Sequence, residues 1–382
     1  MSEASAPNLH VFTGATGFVG SATVLELLER DPSARVVAIV RPGEEGAPAR
    51  LRAALREAAR LYDLGAALDA AIEARCDAVP GDVTLPLCGA GEATVAALQG
   101  AEFWHSAASL QYLDRHADNI NRINVDGTAN ALALARALRA RRVNVVSTAY
   151  VAGRRVGEIA EAPVEAGANN NHYERSKVAS ESMALAASDL FVRVLRPSVV
   201  IGHSRTRAAL NFNGLYGFVR ALVKFRGAME RAQRGIAERL ETQIRADAAT
   251  TLNFIPVDYV ARDAVRLSLA DAAPGIYHLT AAESPSVRCL MDVAFGVVGL
   301  RPPTLVDTTE SMTWIDRKLD ERVDFYATYF RGTKVFARAR TDGAVGSDDG
   351  GSFVVDRDEL RAFCDWYHER LVEERKSLPE TE

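Results

Sequence analysis

The sequence contains few cysteines. Its four cysteines, Cys76, Cys88, Cys289 and Cys364, are scattered and show no CxxC spacing. This pattern indicates neither a metal site nor a disulfide framework, so the thiols are expected to be reduced and structural. Apolar runs of 18 residues are absent as well, and the opening MSEASAPNLH lacks the charged-then-apolar pattern of a secretory signal. These absences predict a soluble, cytoplasmic protein without a transmembrane segment.

An excess of charge of one sign is also absent. The 45 lysines and arginines against 50 aspartates and glutamates leave a net charge of −5 over 382 residues. Nucleic-acid-binding domains usually carry a basic excess, so no nucleic-acid partner is expected. With 48% hydrophobic residues, the chain can bury a large core, and its length suits one large α/β unit with a smaller appended lobe.

Glycines mark the first functional pattern in the chain. A short apolar run at residues 9–12 leads into TGATGFVG, and an amphipathic stretch and a second apolar run at residues 35–40 follow. Glycines three apart at a strand-to-helix turn let the backbone approach a pyrophosphate, although glycines also simply make turns. The surrounding βαβ pattern favours a doubly wound parallel (Rossmann) α/β sheet. The residues expected to contact a dinucleotide here are Thr13, Gly14, Thr16, Gly17, Phe18, Val19 and Gly20.

The end of the second strand indicates which dinucleotide is bound. An NAD site usually has an acidic residue about 20 positions after the glycines, whereas a 2′-phosphate requires cations. Here Val40 is followed by Arg41 and no carboxylate, and Arg50 and Arg52 lie just beyond. We therefore expect NADP(H), with Arg41 and Arg50 as a charged clamp and Arg52 as a further candidate. The alternative is that these arginines cover a solvated helix start.

Strands and helices continue to alternate after this unit, as in a doubly wound sheet. Residues 47–75 have a helical period and are expected to form a crossover helix that breaks at Gly65. The strand at 76–80 is followed by Asp82 and Val83, which fall where an adenine ring would lie; a plain strand-ending turn is the alternative. The strand at 101–105 runs into a turn whose small residues let the cofactor lie close, namely Ser106, Ala107 and Ala108.

Residues suited to hydride transfer follow the strand at 143–147. Ser147 and Thr148 stand at the carboxyl end of a parallel strand, where such sheets place their ligands. Tyr173 and Lys177 are four apart on a predicted helix and so share one face, where the ammonium is expected to lower the phenol's pKa and to reach the cofactor ribose. A hydride delivered to a carbonyl carbon leaves charge on oxygen. Tyr173 would protonate that oxygen while Thr148, with Ser147 as the competing hydroxyl, hydrogen-bonds it.

The succession of these blocks resembles the extended short-chain dehydrogenase/reductases, and within them the thioester reductases and fatty acyl reductases. The resemblance covers residues 8 to about 280 and is carried by TGATGFVG, VVAIVRP, VPGDVTLPL, FWHSAAS, NVDGTANALALA, VVSTAYVAG, YERSK, VRVLRPSVVIG and NFIPVDYVARDAV. It implies NADPH-dependent reduction of an acyl thioester held on a carrier protein's phosphopantetheine arm or on coenzyme A. Ser106 is a departure, since the subgroup often has Asn there.

The resemblance also implies roles by position. Thr148, Tyr173 and Lys177 match the catalytic triad, and Arg41 and Arg50 match the positions that meet the 2′-phosphate. The stretch that lines the nicotinamide is matched by Pro197, Ser198 and Val199. Hydride attack on a thioester gives a hemithioacetal whose collapse expels a thiolate and releases an aldehyde. We expect the aldehyde as product, with a second reduction to the alcohol left open.

The predicted division of the chain gives two parts. An NADP-binding Rossmann domain takes residues 1–202, with a return of the chain at about 253–269, and a mainly helical substrate-binding lobe takes 203–252 and 270–382. In the lobe, residues 211–225 are expected to form an aromatic and aliphatic helix, followed by a basic helix through Arg245. This region is interpreted as a lid over an acyl tunnel, as a core or dimer helix, or as a face for a membrane surface or an acidic carrier protein. For the carrier face the candidates are Arg220, Lys224, Arg226, Arg231 and Arg234.

Two other functions fit the same motifs. One is an extended-family enzyme that acts on a nucleotide sugar, a sterol or another ketone or alcohol, as an epimerase, dehydratase or dehydrogenase. Against it stand Arg41 and the hydrophobic stretch at 211–225, which suits an acyl chain better than a nucleotide diphosphate. The other is a non-catalytic NADP-sensing regulator on the same fold, and such proteins commonly lose the tyrosine that this chain keeps as Tyr173.

Overall fold

A parallel sheet forms the centre of the molecule. The computed structural model describes residues 8–111, 114–165, 167–346 and 353–377. The strands in this part of the chain are β1 (Asn8–Thr13), β2 (Ala34–Val40), β3 (Cys76–Pro80), β4 (Glu102–His105), β5 (Arg142–Val146), β6 (Gly157–Ile159), β7 (Val192–Pro197), β8 (Val199–Ile201), β9 (Gln243–Arg245), β10 (Phe254–Pro256), β11 (Gly275–Leu279), β12 (Thr304–Val306) and β13 (Lys334–Phe336). Seven of them pair in the order β11-β7-β5-β4-β1-β2-β3, all parallel. The order reverses beside β1, so a ligand crevice is expected beyond the carboxyl ends of β1 and β4.

Helices cover the sheet and build the C-terminal region. In chain order they are α1 (Phe18–Arg30), α2 (Ala47–Leu61), α3 (Gly65–Arg75), α4 (Glu92–Ala97), α5 (Ala117–Asn121), α6 (Gly127–Ala137), α7 (His172–Ala186), α8 (Leu215–Ala232), α9 (Val257–Leu269), α10 (Val287–Val298), α11 (Trp314–Ala327), α12 (Ala339–Val345) and α13 (Arg357–Ser377). The predicted doubly wound α/β fold with a mainly helical C-terminal part is confirmed. The predicted break of the crossover helix is also confirmed, because α2 and α3 are separated just before Gly65, which has φ +58°.

Apolar side chains pack on both faces of the sheet. On one face α1, α2 and α9 bury a cluster that includes Leu25, Leu51 and Val260. On the other face α6 and α7 bury Leu134 and Ala184 against the strands. Full burial of each such leucine or valine contributes about 1.5–3 kcal/mol. Both faces are therefore closed by apolar packing, which leaves the carboxyl edge of the sheet for ligands.

A separate core lies under the C-terminal helices. Helices α8, α10, α11 and α13 bury Phe218, Phe225, Phe295, Leu319 and Phe363 against one another. The division of the chain into a nucleotide-binding domain and a substrate lobe remains a prediction. The return of the chain to the sheet, however, runs past residue 269, because β11 pairs with β7 and extends the sheet to Leu279.

The predicted basic helix through Arg245 is wrong. Helix α8 ends at Ala232, Gln233 is extended at φ −155°, and Gly235 adopts φ +76°. The Glu230 carboxylate then accepts hydrogen bonds from the Gly235 and Ala237 amides, and the chain enters β9, which pairs with β12. This stretch is rich in charge but lacks an apolar stripe to bury, so it has no packing to hold it in a helix.

The described part of the chain contains no helix that is both long and apolar enough to cross a membrane. In the same residues, no three histidine, cysteine or acidic side chains come together to hold a metal ion. All four cysteines are free thiols. Burial raises the pKa of Cys76 and of Cys88 to about 12, so both stay protonated at neutral pH.

Candidate active site

The turn between β1 and α1 is shaped by glycines. Gly14 has φ +79°, and a Cβ at that position would lie 2.5 Å from the Ala107 amide nitrogen. A Cβ on Gly20 would overlap the Gly14 carbonyl oxygen. Gly17 donates its amide to Gly14 O at 3.0 Å and caps α1, whose first turn contains no acidic residue. A bare helix N-terminus of this kind favours an anion such as a pyrophosphate.

Side-chain hydrogen bonds hold the neighbouring turn after β4. His105 Nδ1 lies 2.7 Å from Thr13 Oγ1, and its Nε2 lies 3.1 Å from Thr128 Oγ1. Burial lowers the pKa of His105 to about 3, so the imidazole is neutral and bridges the two hydroxyls. Asn124 donates to Ser176 Oγ on α7 at 2.9 Å, while its Oδ1 accepts from the Ser109 amide. The turn after β4 is thus tied to the helix that carries Tyr173.

One cavity of about 640 Å³ opens beyond the carboxyl ends of the strands. The predicted catalytic residues Thr148, Tyr173 and Lys177 all lie in its wall. So do many of the predicted cofactor contacts, namely Gly17, Phe18, Val19, Gly20, Ser106, Ala108, Pro197, Ser198 and Val199. Segments far apart in sequence therefore meet at one place.

Other predicted cofactor residues lie around this cavity rather than in its wall. Thr13, Gly14 and Ala107 form the supporting turns described above. Thr16 lines a second, smaller cavity of about 340 Å³ with Phe212 and Arg370. Asp82 Oδ1 accepts from the Thr84 amide at 2.8 Å, and Val83 O accepts from Asn130 Nδ2 at 2.9 Å. These bonds make a strand-ending turn packed on α6, and a contact of Asp82 or Val83 with adenine stays a prediction.

The arginines after β2 divide into two groups. Arg41 is exposed, and Arg50 Nη1 donates to the Arg41 carbonyl oxygen at 2.9 Å, so the two guanidinium-bearing residues adjoin each other. Arg52 is engaged elsewhere, because its guanidinium donates to Cys76 O at 3.4 Å and pairs with Glu73 at 3.5 Å. Arg52 thus has structural partners, and phosphate binding by Arg41 and Arg50 stays a prediction.

Lys177 and Tyr173 lie on the same face of α7, as their spacing predicts. Lys177 Nζ donates to the Val146 carbonyl at 2.7 Å, and burial lowers its pKa to about 8. The expectation that Lys177 lowers the phenol's pKa is wrong in this structure. Burial raises the pKa of Tyr173, and the neighbouring Glu174 carboxylate raises it further. The phenol is therefore fully protonated at neutral pH.

The two competing hydroxyls differ in their partners. Ser147 Oγ donates to Glu181 Oε2 at 2.9 Å, and the same carboxylate is held by the buried Arg196, whose Nε donates at 3.0 Å. Thr148 caps the turn after β5, since its Oγ1 accepts from the Tyr150 amide at 3.2 Å, and its hydroxyl donates a long hydrogen bond of 3.4 Å to Pro197 O. Ser147 belongs to a buried ion-pair network, whereas Thr148 can exchange its long bond to Pro197 O for a bond to a ligand.

Sequence reasoning missed the residues that connect this site to the C-terminal helices. Glu174 is fully buried, and its carboxylate accepts from the Tyr329 hydroxyl and from the Asn170 amide, each at 2.6 Å. Its position directly after Tyr173 was the available signal. The aromatic residues of the far wall come from a segment without a recognisable motif, in which helical spacing was the only signal: Phe325, Tyr326, Tyr329 and Phe330.

The cavity wall fits a nicotinamide. Ser198 Oγ is buried, lines the cavity and has no hydrogen-bond partner within the described ranges. A buried hydroxyl without a partner costs about 1–3 kcal/mol, which a ligand amide would recover. Lys177 lies in the same wall, where an ammonium can meet ribose hydroxyls. The donor set thus suits the nicotinamide half of a dinucleotide.

The chain is similar to several known proteins. The sequence profile of an NAD-binding family described as "Male sterility protein" matches residues 12–264. The chain is 29% identical over 281 residues to an isonitrile lipopeptide synthase of Streptomyces coeruleorubidus, and 27% identical over 286 residues to the L-2-aminoadipate reductase large subunit of Penicillium chrysogenum. These matches cover 71% and 69% of this chain but 17% and 18% of the relatives, so the chain spans less than a fifth of their length. The crystal structure of the terminal R domain from the myxalamid PKS-NRPS biosynthetic pathway superposes with a TM-score of 0.74 at 25% identity, covering 99% of this chain and 94% of that one.

Proposed function

The chain belongs to the NAD-binding family described as male sterility protein, and from this premise we propose that it is an NADPH-dependent reductase of an acyl thioester. The acyl group is carried on a phosphopantetheine arm, either of a carrier protein or of coenzyme A, and the product is an aldehyde. The likeness to a terminal R domain and to an aminoadipate reductase supports an oxidoreductase of this class. The matched region makes up 94% of the R domain but only 18% of the aminoadipate reductase.

One observation carries the proposal: the cavity has a proton-donating end and an apolar end. Thr148, Tyr173 and Lys177 lie at the first end, beside the glycine turn. At the other end the wall is formed by lobe residues, among them Phe218 and Leu290, both buried in the lobe core. A long apolar chain with one reactive carbonyl fits this arrangement, and binding pockets are commonly apolar with a few convergent polar groups. In this proposal the apolar lobe residues in the interior of the cavity hold the acyl chain.

The side chains at the polar end act on the carbonyl oxygen of the substrate. When bound, the reduced nicotinamide supplies the hydride that no side chain of the protein offers. Tyr173 donates its phenolic proton to the oxygen as charge develops there, and its raised pKa keeps that proton in place until then. Thr148 Oγ1 donates a hydrogen bond to the same oxygen. Lys177 is an ammonium below pH 8 and stabilises the phenolate that the proton transfer leaves behind. Collapse of the hemithioacetal then expels a thiolate.

The preference for NADPH over NADH rests on Arg41 and Arg50. Both follow β2, the strand whose end meets the adenosine ribose in this fold, and the chain places no carboxylate directly after Val40. Their adjacency, with Arg50 bonded to the Arg41 carbonyl, supports a shared role. Two guanidinium groups suit a dianionic phosphate and would leave a free ribose hydroxyl without its usual acceptor.

The test is consumption of NADPH, followed by its absorbance, with a panel of acyl-coenzyme A thioesters that differ in chain length. We expect turnover with thioesters, an aldehyde trapped as its hydrazone, and loss of turnover in Tyr173→Phe. Tyr259→Phe is the matched control, because Tyr259 is absent from the described cavity wall and packs edge-to-face against Phe353. Turnover only with ketones or sugar nucleotides would replace the proposal by a dehydrogenase or epimerase. Tight NADPH binding without turnover of any substrate would indicate a regulator.

A further inference from the structure

The lobe end of the cavity carries cations that the proposed reaction does not use. Arg220 and Lys224 on α8 and Arg322 on α11 line its wall, and all three side chains are exposed. The described lining residues include one carboxylate, Glu174, whose oxygens already accept hydrogen bonds from Tyr329 and Asn170. The opening of the cavity is therefore positively charged, although its interior is largely apolar.

The three cations come from two helices that pack against each other. Arg220 and Lys224 are four residues apart and so project from the same face of α8. Arg322 comes from α11, which packs against α8. Arg220 also hydrogen-bonds the phenol of Tyr367 on α13. Three guanidinium or ammonium groups on one rim favour a multiply charged anion.

Helix α8 gives the distance between these cations and the predicted nicotinamide wall. Its N-cap, Gly214, packs so closely on Val199 that a Cβ would lie 2.7 Å from Val199 Cγ1, and Val199 belongs to the predicted nicotinamide wall. With a rise of 1.5 Å per residue, Arg220 and Lys224 lie about 9 Å and about 15 Å further along the helix. A ligand that reaches both ends must have an extended, uncharged middle of roughly that length.

We propose that Arg220, Lys224 and Arg322 bind the phosphate of a phosphopantetheine arm while its thioester lies at Thr148 and Tyr173. This inference rests on the proposed function and deepens it. The arm between sulfur and phosphate is about four residue lengths of extended chain, roughly 15 Å, which matches the span along α8. Its amide groups pass the side chains of Asn211 and Asn213, which line the same wall and offer hydrogen bonds. Coenzyme A and a carrier protein share this phosphate.

The other basic residues near α8 do not belong to this phosphate site. Arg226 points to the opposite side, where its guanidinium donates to Val298 O at 2.8 Å and packs on Gly299. Arg231 and Arg234 follow near the end of α8 and are absent from the cavity wall as described. Of the cations considered for a carrier face, two therefore lie at the opening, and Arg322 joins them from the segment after residue 300.

The experiment compares thioesters that carry the same acyl group on different thiols. Steady-state kinetics with NADPH compare acyl-pantetheine, which has no phosphate, with acyl-phosphopantetheine, acyl-coenzyme A and an acyl-carrier protein. For the unmodified protein we expect kcat/KM to be about 10- to 100-fold higher with the phosphate than without it. The triple variant Arg220→Gln, Lys224→Gln, Arg322→Gln should lose this preference and keep its kcat/KM for acyl-pantetheine. Arg317→Gln removes one charge from α11 outside the cavity and should change neither value.

The outcomes separate this inference from the proposed function. Equal kcat/KM with and without phosphate in the unmodified protein overturns the phosphate site while leaving the reductase intact. If the triple variant loses kcat/KM equally for acyl-pantetheine and for acyl-phosphopantetheine, the phosphate site is also overturned, because the three residues then act structurally. Turnover with none of the thioesters overturns the proposed function. Calorimetry with phosphopantetheine alone still tests the site, since binding that the triple variant loses supports it and absence of binding overturns it. If the triple variant loses kcat/KM only with acyl-coenzyme A, or only with the acyl-carrier protein, the site binds the phosphate of that substrate.

Discussion

Glu174 and Tyr329 join α7 to the C-terminal lobe: the Tyr329 hydroxyl donates a 2.6 Å hydrogen bond to Glu174 Oε1 across 155 residues of sequence. Asn171, at the N-cap of α7, donates to the same hydroxyl at 2.8 Å. Glu174 directly follows Tyr173, and both Glu174 and Tyr329 line the cavity. The position of Tyr173, the proposed proton donor, therefore depends on how the C-terminal lobe packs against α7.

Removing that hydroxyl tests the coupling. Tyr329→Phe leaves a buried carboxylate with one donor fewer, so the free energy of unfolding should fall by about 1–3 kcal/mol. The kcat should fall as well, with little change in the KM for NADPH, because the phenylalanine ring still fills the space while α7 loses its lobe contact. Urea denaturation and steady-state kinetics measure the two effects, with Tyr259→Phe as the control. A variant with unchanged unfolding free energy and unchanged kcat contradicts the coupling.

The two hydroxyls at the end of β5 give different kinetic expectations. Thr148→Ala should lower kcat/KM by about 10²- to 10³-fold, because it removes a donor to the reacting oxygen, and loss of its cap on the Tyr150 amide should cost about 1 kcal/mol of stability. Ser147→Ala should change kcat/KM by less than about 10-fold and destabilise the protein by about 1 kcal/mol, since it removes a donor to Glu181. Kinetics and thermal melts of both variants decide between them. A larger kinetic loss in Ser147→Ala would exchange the two roles.

The nucleotide-binding half could be predicted because its signals are local. Glycine spacing at one turn, and a tyrosine and a lysine four apart, are fixed by helix and strand geometry and do not depend on distant packing. The direction of the phenol's pKa shift could not be predicted, because spacing gives proximity to Lys177 but says nothing about burial. The choice between Thr148 and Ser147 likewise depends on Glu181, which comes from another element.

The far wall of the cavity depends on contacts that no short stretch of sequence contains. Lys224 of α8, Leu290 of α10 and Tyr326 of α11 come from three separate elements and meet only when these helices pack together. The stretch after Ala232 was predicted as a helix from its charged composition. A helix in a folded protein depends mainly on burying an apolar face, and Gly235 at positive φ ends the regular structure there.

The pH dependence should follow Lys177. Its pKa is lowered from 10.5 to about 8 by burial, so the ammonium that stabilises the phenolate is lost as the pH rises through about 8. We expect kcat/KM for NADPH, which reports the free enzyme, to fall above that pH. The effect on stability has the opposite sign. Between about 8 and 10.5 the unfolded chain binds more protons at Lys177, so the free energy of unfolding gains a contribution that increases with pH. Denaturation of Lys177→Met over this range should lack that contribution, and an identical pH slope in both proteins contradicts the assignment.

The width of the cavity beside α8 depends on Gly217. A Cβ on this residue of α8 would overlap the Tyr326 hydroxyl, and both residues line the cavity. Gly217→Ala should displace Tyr326 and lower kcat/KM for acyl-phosphopantetheine relative to a short alkyl thioester of the same acyl group, because the arm proposed to run along α8 passes Gly217. The control is Gly227→Ala on the same helix, where the nearest atom is Arg231 Nη1 at an ordinary 3.5 Å. An unchanged ratio of the two kcat/KM values in Gly217→Ala would place the arm elsewhere.

The proposed preference for NADPH depends on Arg41. In Arg41→Asp a carboxylate replaces the cation at the end of β2, so the KM for NADPH should rise by about 10- to 100-fold through repulsion of the 2′-phosphate. The KM for NADH should change far less, because a carboxylate at this position accepts a hydrogen bond from a free ribose 2′-hydroxyl. Arg52→Gln is the matched control, since that guanidinium is engaged by Glu73 and the Cys76 carbonyl. Equal increases in both Michaelis constants would mean that Arg41 supports the fold of the turn and does not recognise the phosphate.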